Sequence, residues 1–343
     1  MRARRPLFVL TCVCATAFLL GPSLAALPTP DVAAIVDRVV ATNTTDRIDC
    51  YGDFLVRLAT REGDRRGYNR DRTPQAGLLE ARAFIRSTFV DLLGAGAVSD
   101  QPFDADGYAG VNIVATLRGE GPAPQGVYVI GAHYDSAQNA GADDDASGVA
   151  GLLEAARVLR HSRFQGTIVF VAFDQEEERR NGWGRGSQYF ANVARKDRMN
   201  IRAMLGLDMV AYNHAGGNRA TLSRCDRAKS SPSSQLLAKV RTAFLDYSGL
   251  SVMTLTGENA SDPYLFYRAG FPALLVSEEF DKDGWPLNPY YHRAQDFYLA
   301  SDGTPLEYAG HPYLDLQYAA RVVRGVVGWV ATEAGHLGPR EAR

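Results

Sequence analysis

The chain has 343 residues, 46% hydrophobic and 22% charged, a balance that fits one large buried core and excludes a disordered or fibrous protein. Its 37 Lys and Arg against 39 Asp and Glu leave a formal net charge of -2 with the signs interspersed. That argues against nucleic acid or an anionic membrane surface as the main partner.

The first residues read as an address. Arg2, Arg4 and Arg5 precede the short apolar run LFVLTCVCATAFLL, and Ser23-Leu24-Ala25 supplies a small-x-small cleavage site. Residues 1–25 are therefore a secretory signal peptide and residues 26–343 the mature domain, secreted or periplasmic. No later stretch is long and uncharged enough to span a bilayer, so no membrane partner is expected for the mature form. Cys12 and Cys14 leave with the signal; Cys50 and Cys225 remain, either as one disulfide of an oxidising compartment or as two buried thiols. The basic run TREGDRRGYNRDRT reads as a solvated loop.

Helical spacing of apolar residues follows in DVAAIVDRVV and AGLLEARAFIRSTFVDLL. Strand-like apolar runs come next, VNIVATL, GVYVIGAHYD, TIVFVAFD, AMLGLDMVAY and FPALLVSE. They alternate with helical stretches at SGVAGLLEAARVL, SPSSQLLAKVRTAFLDY and LDLQYAARVVRGVVGWV. The alternation predicts an α/β fold: one globular domain, with a mixed, mostly parallel central sheet and helices on both faces.

The charged residues then fall at strand C-termini. His133 and Asp135 close one buried strand, Asp174 with Glu176, Glu177 and Glu178 the next, and Asp208 the one after. In open α/β sheets the ligand crevice lies beyond those ends, so these carboxylates converge there and need a cation between them. His133 and His292 are suitable borderline ligands for a transition metal. The run GADDDASG belongs to the same place: a helix cap near Ser147 explains one aspartate, and a divalent ion is the further partner that three in a row require.

The ordered set GAHYDS (131–136), GADDDASG (141–148), FDQEE (173–177), LDMV (207–210) and YYHRAQD (290–296) resembles the co-catalytic dizinc aminopeptidases of the Vibrio leucyl and Streptomyces type. Their wider family also holds glutamate carboxypeptidases and glutaminyl cyclases, and it shares a zinc-dependent exopeptidase, phosphorylase/hydrolase-like fold. The resemblance spans essentially the whole mature chain. It implies two zinc ions, for which cobalt or manganese can substitute, with His133 and Asp208 on one, Glu177 and His292 on the other, and Asp144 bridging both. It also implies a cis peptide after Asp144 and Glu176 as general base toward a zinc-activated water. Asp135 is expected to fix the His133 tautomer. The resemblance to the Streptomyces and glutamate carboxypeptidase kind, which place a tyrosine hydroxyl before this histidine, implies Tyr291 as the candidate oxyanion donor; Glu258 stands where the Vibrio type has its tyrosine. Asp262 and Asp296 match family positions of structural character. The residues between Glu178 and the helix at GRGSQYF, Trp183 among them, depart from the family pattern and are expected to shape the pocket rim.

The resemblance thus implies a monomeric, secreted metallo-aminopeptidase acting on the N-termini of peptides or proteins. Alternatives on the same site are a glutaminyl cyclase or another peptidase. A binding ectodomain without catalysis fits less well, because Glu176 and the ligands are intact.

Overall fold

The computed structural model describes residues 30–42, 50–58, 75–105, 108–120, 126–137, 139–177 and 184–340. The signal segment 1–25, the basic run 60–73, Glu178 and Trp183 lie outside the described residues.

In chain order the elements are helices α1 (Pro30–Val36), α2 (Tyr51–Leu58) and α3 (Gln75–Leu93), then strands β1 (Val98–Ala105), β2 (Tyr108–Leu117) and β3 (Val127–His133). Helix α4 (Ala146–Leu159), β4 (Ser162–Phe164), β5 (Thr167–Phe173), α5 (Arg185–Lys196), β6 (Ile201–Leu207) and β7 (Arg219–Arg224) follow. The chain closes with α6 (Pro232–Ala243), β8 (Ser251–Thr256), α7 (Ser261–Arg268), β9 (Ala273–Ser277), β10 (Glu307–Tyr308), β11 (His311–Pro312), α8 (Leu316–Glu333) and β12 (His336–Pro339).

Eight strands form one sheet in the order β1-β2-β5-β3-β6-β9-β7-β8, and β10 with β11 and β12 with β4 make two small ribbons. The centre, β5-β3-β6-β9, is parallel, while β1, β2 and the β7–β9 pairing are antiparallel. The predicted mixed sheet is therefore the observed one. Helices cover both faces, as the unbroken apolar character of the central strands requires.

Alternation along each strand sends side chains to two cores. Ile168, Phe170 and Ala172 of β5 join the large cluster with Tyr51, Ile85, Leu153 and Trp329. Val169, Val171 and Phe173 join a smaller one with Phe190 of α5 and Phe266 of α7. Phe173 packs edge-on against both rings, at centroid distances of 6.1 and 5.9 Å, and lies over Gly131, where a Cβ would meet its ring at 2.3 Å. We expect Phe173→Ala to lower stability by about 3–5 kcal/mol in urea unfolding, because the ring leaves a cavity between two helices and the strand end that carries the glutamates; a loss below about 1 kcal/mol would contradict this packing role.

Cys50 and Cys225 are both free. The Cys50 thiol lies 3.0 Å from an Asp53 carboxylate oxygen; of the two readings of the cysteines the free thiols are observed, Cys50 buried and Cys225 half-buried rather than both buried. No helix among the described residues is long and apolar enough to cross a membrane.

Candidate functional site

Four parallel strands deliver the site to one edge of the sheet. β3 ends in His133, β5 runs out into Asp174–Glu177, β6 into Asp208 and β9 into Glu278. The turn from β3 to α4 carries the aspartate run, and each of the three has a different task. Asp145 is the N-cap of α4: its Oδ1 accepts from Gly148 N at 2.8 Å, and its Oδ2 accepts from His133 N at 3.2 Å. Asp143 accepts from Ala211 N at 3.0 Å and from Asn288 Nδ2 at 2.7 Å, tying the turn to the strand β6 exit and to the loop before His292. Asp144, joined to Asp145 by a cis peptide, has its own backbone N–H bound by Asp296 Oδ2 at 3.2 Å. Only its carboxylate is left for the crevice, and one oxygen goes to each histidine: Oδ1 lies 3.2 Å from His133 Nε2 and Oδ2 3.1 Å from His292 Nε2.

Around this carboxylate two groups of ligand atoms form. Asp208 Oδ1 stands 3.8 Å from His133 Nε2, and Glu177 Oε1 stands 2.9 Å from His292 Nε2. Two ligands each about 2.1 Å from a tetrahedral zinc are about 3.4 Å apart, and the four distances bracket that spacing. Asp144 Oδ2 is buried and lacks a donor in hydrogen-bonding alignment, as a carboxylate oxygen awaiting a cation would. The donor set, imidazole nitrogen with carboxylate oxygen, fits zinc. His133, Asp144 and Asp208 form one possible ligand group and Asp144, Glu177 and His292 another; a third, His133 with Glu176 and Glu177, competes on geometry alone.

The field agrees with this. Burial alone would push the His133 imidazole down, but the side chains of Asp135, Asp144 and Asp208 outweigh it and hold it well above the usual histidine range. His292 is opposed by burial in the same way and is raised to about 9 by Asp144 and Glu177. Asp144 is raised by burial yet held below the usual carboxylate range by the two imidazoles. Carboxylates here attract positive charge strongly. Glu177 is pushed up to about 6 by burial and by the Asp144 charge, with the His292 hydrogen bond working the other way.

Glu176 is buried beside the ligands, and burial, reinforced by the neighbouring carboxylates of Glu177, Asp262 and Asp208 against the pull of His133, raises it well above the normal glutamate range. The Tyr291 hydroxyl is likewise raised, by burial and then by Asp144 and Asp208, so it stays a proton donor; its ring stacks on His292 at 3.8 Å. The sequence-derived set, His133, Asp144, Glu176, Glu177, Asp208, Tyr291 and His292, thus meets at one place. All but His133 line the same cleft of about 590 Å³.

Two expectations change. Asp135 does not orient His133 chiefly through its carboxylate: the imidazole Nδ1 meets the Asp135 backbone carbonyl at 3.1 Å, with Oδ1 farther at 3.6 Å. The carboxylate accepts instead from Glu176 N and Glu177 N, both at 3.0 Å, and so fixes the glutamate pair. Asp174 does not join the metal groups, because Arg82 of α3 pairs with it at 2.9 Å and Val111 N donates to it at 2.9 Å.

Sequence reasoning missed Glu278. It sits at a strand end like the others, in VSEE, and accepts from Tyr212 N at 2.9 Å while burial and Asp143 push its carboxyl well up. The strand-end rule applied to β3, β5 and β6 would have found it on β9. Asp296, pushed up to about 8 by burial and Asp143, holds the aspartate turn through both oxygens, and Tyr313 donates to it at 3.0 Å.

Residues 112–316 match the model described as Peptidase family M28. A probable zinc metalloprotease of Pyricularia oryzae is 31% identical over 251 residues, 62% of this chain and 47% of that protein, so the chain spans about half the length of this curated relative. In fold, the chain is similar to the LapA aminopeptidase of Legionella pneumophila, with TM-score 0.68 and 22% identity over 89% of this chain and 74% of that one. The glutaminyl cyclase of Porphyromonas gingivalis follows at TM-score 0.60 and 20% identity, over 88% of this chain and 97% of that one.

Proposed function

This chain belongs to peptidase family M28, and from that premise we propose that it is a secreted metallo-aminopeptidase that removes N-terminal residues from peptides. The observation that carries the reading is the Asp144 carboxylate, buried, with one oxygen toward each histidine. His133 and Asp208 would hold one zinc, Glu177 and His292 a second, and Asp144 would bridge them; the same N/O set accepts cobalt or manganese. Bound zinc supplies Lewis acidity toward a carbonyl and brings the pKa of water to about 7.

The remaining chemistry belongs to the chain. Glu176 takes a proton from the attacking water at a carboxylate oxygen and delivers it to the leaving amine nitrogen. A buried carboxylate beside the reacting atoms can hold that proton between the two transfers. The Tyr291 hydroxyl, kept protonated, donates to the oxyanion that develops on the substrate carbonyl. Asp135, bound to the two glutamate N–H groups, keeps Glu176 and Glu177 in their divided roles.

The choice of the amino end has its own support. Asp144, Glu176, Glu177, Asp208, Glu258 and Asp283 line the cleft, and among the described residues no lysine or arginine does. With the four carboxylates nearest the ions offset by them, the cleft still offers no cation among the described residues to receive a terminal carboxylate, whereas an amino end needs none. Export and a monomeric state complete the proposal, the first resting on the signal-like residues 1–25.

The test is hydrolysis of leucyl p-nitroanilide against its N-acetyl derivative. We expect the free amine to be cleaved at least about a hundredfold faster, because acetylation removes the charge the cleft attracts. Equal rates would refute an aminopeptidase. Cyclisation of N-terminal glutamine with release of ammonia, and no hydrolysis, would favour the cyclase chemistry instead.

A further inference from the structure

Beyond the metal groups the cleft continues between the exits of β6 and β9 and the segment joining β8 to α7. Its inner wall is apolar: Met209, Leu275 and Phe280 are each less than 10% exposed and line it together with Pro286. At the outer end stands Trp285, 68% exposed although an indole of that size is usually buried. Its position is built, since Asp281 Oδ1 accepts from Asp283 N at 2.8 Å and Trp285 N at 2.9 Å, and Asp281 N donates to Trp285 O at 2.8 Å.

Glu258 lines the same cleft as Trp285. One carboxylate oxygen accepts from Asn259 N at 2.9 Å and Ala260 N at 3.2 Å, which fixes the side chain, and the other faces Gly284 of the Trp285 turn. Arg227 packs against Gly257 but makes no ion pair with Glu258 among the described residues. Asp283 shares its charge with Lys282. Two divalent ions would offset the four charges of Asp144, Glu176, Glu177 and Asp208. The Glu258 charge is left over, in the same cleft as the apolar wall and Trp285.

We infer that this cleft selects an N-terminal residue with a long aliphatic stem ending in a cation, lysine or arginine, with Glu258 as its counter-charge. The stem lies along Met209, Leu275 and Phe280, and the head sits between the Glu258 carboxylate and the Trp285 ring, which adds a cation–π contact. A glutamyl N-terminus is rejected by the same carboxylate. The inference rests on the aminopeptidase reading and adds the substrate class to it.

Lysyl and norleucyl p-nitroanilides isolate the head group, because their stems match and only the ammonium differs. The wild type is expected to favour the lysyl substrate in kcat/KM by about tenfold or more, and Glu258→Gln, which keeps the carbonyl that caps Asn259 and Ala260, is expected to bring the ratio close to one. Trp285→Ala lowers the ratio by a smaller factor, about threefold. A wild-type ratio at or below one while norleucyl substrate is cleaved overturns the inference and leaves the aminopeptidase standing. A ratio unchanged in Glu258→Gln also overturns it. Failure to cleave either substrate overturns the underlying reading, and the inference with it.

Discussion

Asp144→Ala is expected to bind less than half of the wild-type zinc and to lose at least about a thousandfold in kcat/KM, on the order of 4 kcal/mol of barrier lowering. The reason is its position in both ligand groups. Without it, His133 keeps only Asp208 and His292 only Glu177, two protein ligands where a catalytic zinc ordinarily has three. The imidazoles also lose the anion that each approaches at 3.1–3.2 Å. Asp145 and Asp143 cannot replace it, because their oxygens are engaged by backbone N–H groups and Asn288. Equilibrium dialysis against zinc, followed by metal analysis and circular dichroism, checks this. A folded variant that retains two zinc equivalents would show that Asp144 is not the bridge.

Glu176→Gln is expected to lower kcat by about 10²–10⁴ while KM and zinc content stay near wild type. Glutamine fills the same volume but cannot accept a proton, so the substitution removes the proton transfer and leaves the cleft wall. The outcome also decides between two arrangements. In the one proposed, Glu177 is the ligand, 2.9 Å from His292 Nε2, and Glu176 faces the reacting atoms. In the competing group of His133 with Glu176 and Glu177, Glu176 would itself hold metal. Zinc lost in Glu176→Gln would assign it to that second arrangement.

Much of this was legible in the chain because two signals coincided. Buried parallel strands leave unbroken apolar runs, and the residues just beyond them are placed by topology at one sheet edge; His133, Glu176, Glu177 and Asp208 needed nothing more. The outer strands were harder. VSDQPFDA of β1 and RATLSR of β7 are too polar to announce themselves and are strands because the neighbouring β2 and β9 offer unpaired edges. Side-chain direction was also beyond reach. The sequence could put Asp135 near His133, but not show that its carbonyl meets the imidazole while its carboxylate accepts from the two glutamate N–H groups. The Arg82–Asp174 pair spans 92 residues and joins a helix to a strand end, a distance no local pattern reports. The same holds for Cys50 and Cys225, whose even number carried no information on their separation.

In the proposed reaction Glu176 is the general base for cleavage of the N-terminal peptide bond, at a site that would hold two zinc ions. Zinc content and leucyl p-nitroanilide hydrolysis, measured on the same samples of wild type and Glu176→Gln, test it most directly. We expect about two zinc equivalents in both proteins, with turnover in the wild type and a loss of at least about a hundredfold in the variant. A wild type that is fully active with one zinc or none, or a variant that keeps its rate, would contradict it.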